Sequence, residues 1–482
     1  MPQPIIVLMS NALRLAENAA LAEAAGSGAP VIPLFILDEQ SPTARPLGGA
    51  SKWWLLQSLG DLSGRIAGLG SKLIVRRGKA AEVVATLVDE TEAGAVHLMR
   101  GYTPAARALE EELHQTYAET DVQVRRFAGN LLVEPEAVRT KTGTPYTVFS
   151  PFWRAASELI DTVEPQPAPT ILLAPDEWPE SETIDGLGLE PKPAYWADPI
   201  AATWTPGEDS ARERLLEFLD GPVVDYKAAR DFPGIDATSA LSPYLAFGEI
   251  GPRTIWWHTK ARMAQDETIS KGAGHFLREV GWREFSSHLL FNQPHMQSEP
   301  MREQFKAFPW IEGEGEFLTA WQKGQTGFPI VDAGMRQLWQ TGWMHNRVRM
   351  IVASFLVKDL LWHWRDGEAW FWDTLVDADF GNNIASWQWV AGCGADAAPY
   401  FRIFNPITQG EKFDPKGDYV RKFVPELADL PNEYIHKPFE APVGMLQMAG
   451  VKLGTTYPKP IIDRKIAREK ALAALASIKK PD

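Results

Sequence analysis

The stretch Gly342–Pro406 reads GWMHNRVRMIVASFLVKDLLWHWRDGEAWFWDTLVDADFGNNIASWQWVAGCGADAAPYFRIFNP, a denser run of chemically committed side chains than any other part of the chain. Val348, Ile351, Val352, Phe355 and Leu356 recur at helical spacing, which predicts an amphipathic helix with Asn346, Arg349 and Met350 one turn apart. Six tryptophans follow (Trp362, Trp364, Trp370, Trp372, Trp387 and Trp389) around the acidic, Asn-rich bend DADFGNN. The same helical pattern extends from Ser210 to about Leu475 with few strand-like runs. The second half is therefore expected to be all-α.

The N-terminal part has a different rhythm. Strand-length apolar runs at Ile5–Met9, Val31–Leu37, Leu73–Arg77, Ala95–Met99 and Val122–Phe127 alternate with helix signals at Leu13–Ala25, Trp53–Leu69, Ala80–Thr91 and Pro104–Tyr117. Such alternation predicts a doubly wound, Rossmann-like parallel sheet with helices on both faces. No Gly-x-Gly-x-x-Gly follows the first strand, which argues against a dinucleotide in this domain. Between Pro135 and Pro206 lie twelve prolines and little periodicity, with one helix possible in Pro145–Leu159. The expected layout is an α/β domain over 1–130, a long connector over 131–205 and a helical domain over 206–475.

At 482 residues the chain exceeds the roughly 250 to 300 at which single cores stop growing, so more than one domain is expected. The single cysteine, Cys393, excludes a disulfide framework and fits a reducing cytosol. None of the nine histidines stands in metal-ligand spacing, so no metal is expected. No basic leader precedes an apolar run, and no apolar stretch nears the roughly 20 residues that span a bilayer. A cytoplasmic monomer is expected. The net charge of -14 argues against general stickiness to nucleic acid, but a local basic groove is compatible with it. Eleven of the 19 tryptophans fall between Trp282 and Trp389, so their explanation lies in the second half, where an aromatic core accounts for most.

Several pieces admit two readings from the residues alone. In YKAARDFPGIDATSALSPYLAFGEIGPR (Tyr226–Arg253), Thr238, Ser239 and Ser242 sit near a helix start, as simple caps or as an anion site suited to a pyrophosphate. Glu279 and Arg283 in EVGWREF are one turn apart, the spacing of an ordinary surface ion pair. Arg349 with Asp377 and Asp379 reads as a structural salt bridge or as groups around a heteroaromatic ligand.

The strings TSALSPYLAFG, WREF, GQTGFPIVDAGMRQL, GWMHNRVRMIVASFLVKDLL, DADFGNN, WQW and GADAAPYFRIFNPITQGEKFD together resemble one family, the photolyase and cryptochrome flavoproteins, and within it the class I cyclobutane pyrimidine dimer photolyases. They cover most of residues 222–425 in family order. The resemblance implies FAD as cofactor. Tyr226, Thr238, Ser239, Leu241 and Ser242 match positions that hold its phosphates and ribityl chain; Glu279, Arg283, Asn346, Arg349, Asp377 and Asp379 match others around it. Asn383 matches the position facing flavin N5, where plant cryptochromes carry Asp. The resemblance also implies a lesion pocket. Trp282 and Trp389 are its aromatic walls, Glu279 the carboxyl group on the pyrimidine carbonyl, and Asn346 and Met350 its floor. The (6-4) photolyases have histidines at the last two positions. Trp310, Trp364 and Trp387 match an electron relay to the flavin. The implied partner is damaged DNA, bound without sequence preference through Arg230, Arg283, Arg347, Arg402 and Lys412.

The chain departs from the family pattern at its start, where VLMSNALRLAEN replaces an aromatic, arginine-rich turn. The Asn-Glu pair of folate-binding relatives is missing near Tyr102–Arg107, which has Ala105 and Ala106 instead. The expectation is therefore no methenyltetrahydrofolate antenna; a deazaflavin near Asp38 and Lys52, another flavin, or no antenna remain. The alternatives to dimer repair are a blue-light cryptochrome and a (6-4) photolyase. Against the first stand Asn383 and the short chain beyond the resembling region.

Overall fold

The computed structural model describes residues 2–10, 12–396 and 401–478; part of the string GADAAPYFRIF, residues 397–400, lies outside them. Five strands, β1 (Ile5–Leu8), β2 (Val31–Leu37), β3 (Ile74–Arg77), β4 (Ala95–Met99) and β5 (Gln123–Phe127), form one sheet in the order β3-β2-β1-β4-β5. All four pairings are parallel, with Ile5 beside both Val31 and Ala95. Because strand side chains alternate, Ile5 and Val7 enter one apolar layer and Ile6 and Leu8 the other. The first layer is closed by α1 (Ala19–Gly26) and α2 (Gly49–Gly68), the second by α3 (Ala80–Thr91) and α4 (Pro104–Thr116). Burial on both faces explains why the central strands read as unbroken apolar runs. The edge strand β5 instead carries Arg125 and Arg126, ion-paired to Glu23 and Glu110 at 2.7 and 2.5 Å, charges that discourage pairing with another chain.

The expected helix over Leu13–Ala25 begins only at Ala19. The Arg14 guanidinium, 2% exposed, donates to the Glu17 carbonyl at 2.9 and 3.1 Å, and Glu17 turns into the left-handed region with φ 51°. Asn18 then caps α1 by accepting from Leu21 N at 3.1 Å. Tertiary hydrogen bonding thus holds six residues that read as helical in a buried loop. In the connector, α5 spans Phe149–Leu159.

The chain divides into two compact units, one running to Val224 together with Ser239–Pro294, the other Asp225–Thr238 together with the residues from His295 onward. This division falls elsewhere than the sequence layout, and buried acids show why residues 206–224 and 239–260 belong with the sheet. Glu208 accepts from Leu15 N and Ala16 N at 2.7 and 3.0 Å, and Glu17 from Arg253 N and Thr254 N at 3.2 and 2.9 Å. Arg14 reaches the Gly248 carbonyl at 2.9 Å, and Glu249 accepts from Trp54 Nε1 and Ser58 Oγ on α2 at 3.1 and 2.5 Å. The first unit also contains the helices Glu208–Asp220, Pro252–Gln265 and Ser270–Asn292. The second unit is helical, with Pro329–Thr341, Asn346–Ser354, Trp364–Thr374 and Phe380–Ala391 at its centre and a π-helical turn at Phe355–Asp359. Among the described residues no helix is long and apolar enough to cross a membrane.

Burial raises the Glu249 carboxyl to about 8, so its neutral form is favoured in the folded state. An acid whose folded pKa exceeds its unfolded value contributes stability that is lost as pH rises through that interval. Glu249→Gln is therefore expected to gain stability relative to the wild type as pH climbs from 4.5 to 8, by up to a few kcal/mol, in urea unfolding followed at several pH values.

Candidate active site

In the second unit the bend DADFGNN is fixed from both sides. Arg349, on the Asn346–Ser354 helix, donates Nη2 to both Asp377 oxygens at 2.7 and 3.0 Å and Nε to the Met344 carbonyl at 2.7 Å. The Asp377 side chain is 2% exposed and that of Arg349 24%, so the carboxylate is the buried partner of the pair. Two residues on, Asp379 caps the Phe380–Ala391 helix by accepting from Asn382 N at 2.7 Å. One helical turn later, Asn383 is buried and donates Nδ2 to Glu368 Oε1 at 2.7 Å and to the Glu368 carbonyl at 3.1 Å. Glu368, on the Trp364–Thr374 helix, thereby sets which way the amide faces: nitrogen toward Glu368, oxygen away from it. Sequence reasoning missed Glu368, since a glutamate in RDGEAW reads as a solvated helix residue.

The tryptophans separate by environment. Trp364 and Trp387 are buried at 1% and 2% exposure, whereas Trp310 is part-exposed. A Cβ on Gly367 would lie 2.1 Å from the Trp387 ring, so this glycine lets the indole press against the helix one turn beyond Trp364. Trp310 meets His363 at 5.6 Å between ring centroids, and His363 stacks on Trp364 at 5.7 Å. Trp387 also contacts Phe371 at 5.0 Å and Trp321 at 6.2 Å. His363 thus bridges Trp310 and Trp364, and Gly367 makes room for Trp387.

At the start of the Asn346–Ser354 helix, His345 caps by accepting from Arg347 N at 3.2 Å, and burial lowers its imidazole to about 4. Asn346 is exposed and Met350 part-buried, with its sulfur 3.7 Å from Arg347 Nη1. Arg347 pairs with Asp231 at 2.9 Å and lies 4.5 Å from the Phe413 centroid, which also receives Lys412 at 5.0 Å. Arg230 sits 5.4 Å over the buried Tyr226 ring. Arg402 is exposed, Thr238 is part-buried, and Trp389 donates to the Asp396 carbonyl at 3.1 Å.

In the first unit, Glu279, Trp282 and Arg283 lie on the Ser270–Asn292 helix. Trp282 stacks on Phe149 at 3.7 Å, and Arg283 donates to the Asn130 carbonyl at 3.1 Å and to Glu284 at 3.2 Å. Burial lifts the Glu284 carboxyl to about 7. Leu241 is buried and Ser242 exposed at the first position of a short helix, with Ser239 part-buried and Ala240 left-handed at φ 49° between them. Asp38 and Lys52 are engaged locally. Asp38 accepts from Gln40 N, Ser41 N, Ser41 Oγ and Ala80 N, and Lys52 pairs with Glu39 at 2.9 Å.

Two regions of the chain match family models. Residues 5–170 match DNA photolyase, and residues 276–477 match the FAD binding domain of DNA photolyase. The deoxyribodipyrimidine photo-lyase of Agrobacterium fabrum is 50% identical over 479 residues, covering 99% of this chain and 98% of the relative. The chain belongs to the photolyase/cryptochrome family. Cryptochrome-2 of Arabidopsis thaliana is 37% identical over 99% of this chain and 79% of its own length. A crystal structure described as a bacterial class III photolyase from Agrobacterium tumefaciens superposes with a TM-score of 0.94 at 50% identity, covering 100% of this chain and 98% of that one. That description differs from the class I resemblance of the sequence strings.

FAD is the cofactor to which the second family model refers. The second unit fits such a ligand. His345 Nε2 and Arg347 Nε are buried without a hydrogen-bond partner among the described residues, an arrangement normally relieved by water or a bound polar group. The amide oxygen of Asn383, turned away from Glu368, and the part-exposed guanidinium of Arg349 are polar groups of the same unit.

Removing Arg349 while keeping Asp377 would take the paired cation from a buried carboxylate. Arg349→Met is expected to cost about 3 kcal/mol of stability in denaturant unfolding, and Arg349→Met/Asp377→Leu to recover part of that loss.

Proposed function

We propose that this protein is a deoxyribodipyrimidine photo-lyase that splits cyclobutane pyrimidine dimers in DNA under light. The observation that carries the reading is the Glu368–Asn383 pair, which holds a neutral amide in one orientation. An amide, unlike a carboxylic acid, has no readily lost proton to give to a flavin, so this position favours the fully reduced anionic cofactor. That condition suits electron donation and separates this chain from the cryptochrome pattern with Asp at the same position.

FAD, bound in its reduced form, would supply under light an electron that opens the cyclobutane ring and then returns to the cofactor, so that repair involves no net oxidation. The chain does the rest. Tyr226, Thr238, Ser239, Leu241 and Ser242 take the phosphates and ribityl chain, and Arg349, Asp377, Asp379 and Asn383 surround the ring system. Trp282 and Trp389 stack on a dimer turned out of the duplex. The Glu279 carboxyl hydrogen-bonds a pyrimidine carbonyl, steadying the charge that develops there. Asn346 and Met350 form the floor, without the histidines of (6-4) photolyases. Arg230, Arg347, Arg402 and Lys412 bind phosphates, which position the duplex and carry no sequence information. Arg283, given to Asn130 and Glu284, contributes by fixing its helix. Trp310, Trp364 and Trp387 carry electrons inward to restore the reduced cofactor. Repair requires only FAD; a second chromophore would add absorption and no chemistry.

An assay offering cyclobutane dimers and (6-4) photoproducts separately to the reduced holoenzyme decides the reading. Light-dependent loss of the cyclobutane dimer alone is expected, and repair of neither lesion refutes it. Trp364→Phe is expected to slow photoreduction of oxidised flavin by at least about tenfold while leaving repair by pre-reduced enzyme near wild type, as followed by flavin absorbance. Unchanged photoreduction would remove Trp364 from the relay.

A further inference from the structure

Phe149, the first residue of α5, lies face to face with Trp282: their centroids are 3.7 Å apart and their planes 9° from parallel. Aromatic pairs left to themselves prefer offset or edge-to-face arrangements, because their negative faces repel. The surroundings impose this one. Phe149 is fully buried, Phe285 meets both rings edge-on at 5.8 and 5.9 Å, and Trp153 lies parallel to Phe149 at 6.4 Å. Gly281, next to Trp282, has no room for a side chain, since a Cβ there would come within 2.5 Å of Trp153. Arg278 on the same helix lies 4.9 Å from the Phe149 centroid and donates to Ser150 Oγ at 3.3 Å. A connector helix with no motif of its own is thus bound through Phe149, Ser150 and Trp153 to the helix carrying Glu279 and Trp282.

A ring has two faces, and Phe149 covers one face of Trp282 while leaving the residue part-exposed. We infer that Phe149 is a positioning residue for lesion recognition, fixing the plane of Trp282 so that this indole is a preformed platform on which the extruded dimer stacks. The inference rests on the lesion-binding role proposed above for Trp282. Without the Phe149 face the indole regains rotational freedom, and its immobilisation is then charged to binding. Undamaged duplex, which inserts no base, does not feel the difference.

The test is a double-mutant cycle on the FAD-loaded protein, measuring affinity for a dimer-containing oligonucleotide and for its undamaged counterpart. Phe149→Ala is expected to lower the ratio of the two affinities by about fivefold while leaving affinity for undamaged DNA and its salt dependence unchanged. Phe149→Leu, which keeps apolar bulk but no flat face, should show the same loss and carries the test if the alanine variant does not fold. Trp282→Ala should lower the ratio further, and adding Phe149→Ala to it should change nothing more. Multiplicative effects of the two substitutions, or an unchanged ratio in both Phe149 variants while Trp282→Ala lowers it, would overturn the inference alone. An unchanged ratio in Trp282→Ala would overturn the lesion-binding role of Trp282 and the inference with it.

Discussion

The second unit depends on one ion pair. Arg349 is part-exposed and Asp377 buried, so the carboxylate is the partner that loses most when the pair is broken. The pair holds the Asn346–Ser354 helix against the DADFGNN bend. From the bend, Asp379 starts the next helix and Asn383 comes round one turn later to meet Glu368. Position is handed on by hydrogen bonds at each step. The amide proposed to face the flavin therefore has its backbone placed from a salt bridge several residues upstream, while Glu368 sets which way it faces.

Elsewhere the chain repeats a single device, a buried carboxylate accepting from consecutive main-chain N–H groups. Glu208 does this for Leu15 and Ala16, Glu284 for Leu132 and Val133, Asp332 for Thr326 and Gly327, and Asp414 for Tyr419 and Val420. Each clamp satisfies amides that a loop cannot satisfy by itself. The acidic balance of the sequence is accordingly a poor guide to its surface, because several of the acids are structural. A net charge of -14 is compatible with a basic face at Arg230, Arg347, Arg402 and Lys412.

What was legible in the sequence follows from this. The strands of the sheet and helices such as Ala80–Thr91 are visible because their apolar period is local, and the structure returns several with the same bounds. Leu13–Asn18 misled because its conformation is decided by Arg14 reaching carbonyls far along the chain, including Gly248. In the site, residues in long distinctive strings could be named from resemblance. Glu368, His363, Gly367 and Phe149 could not, since each acts through a neighbour distant in sequence. Gly367 in particular matters only because the Trp387 ring arrives there.

The clamps across Arg14, Glu17, Glu208 and Glu249 also bear on modularity. A composition boundary near residue 206 suggests a detachable sheet domain, yet detaching it there would leave Leu15 N and Ala16 N without their acceptor and Arg14 without the Gly248 carbonyl. A cut that keeps these bonds would therefore have to carry residues 206–224 and 239–260 along with the sheet, making the separable unit discontinuous with the visible seam.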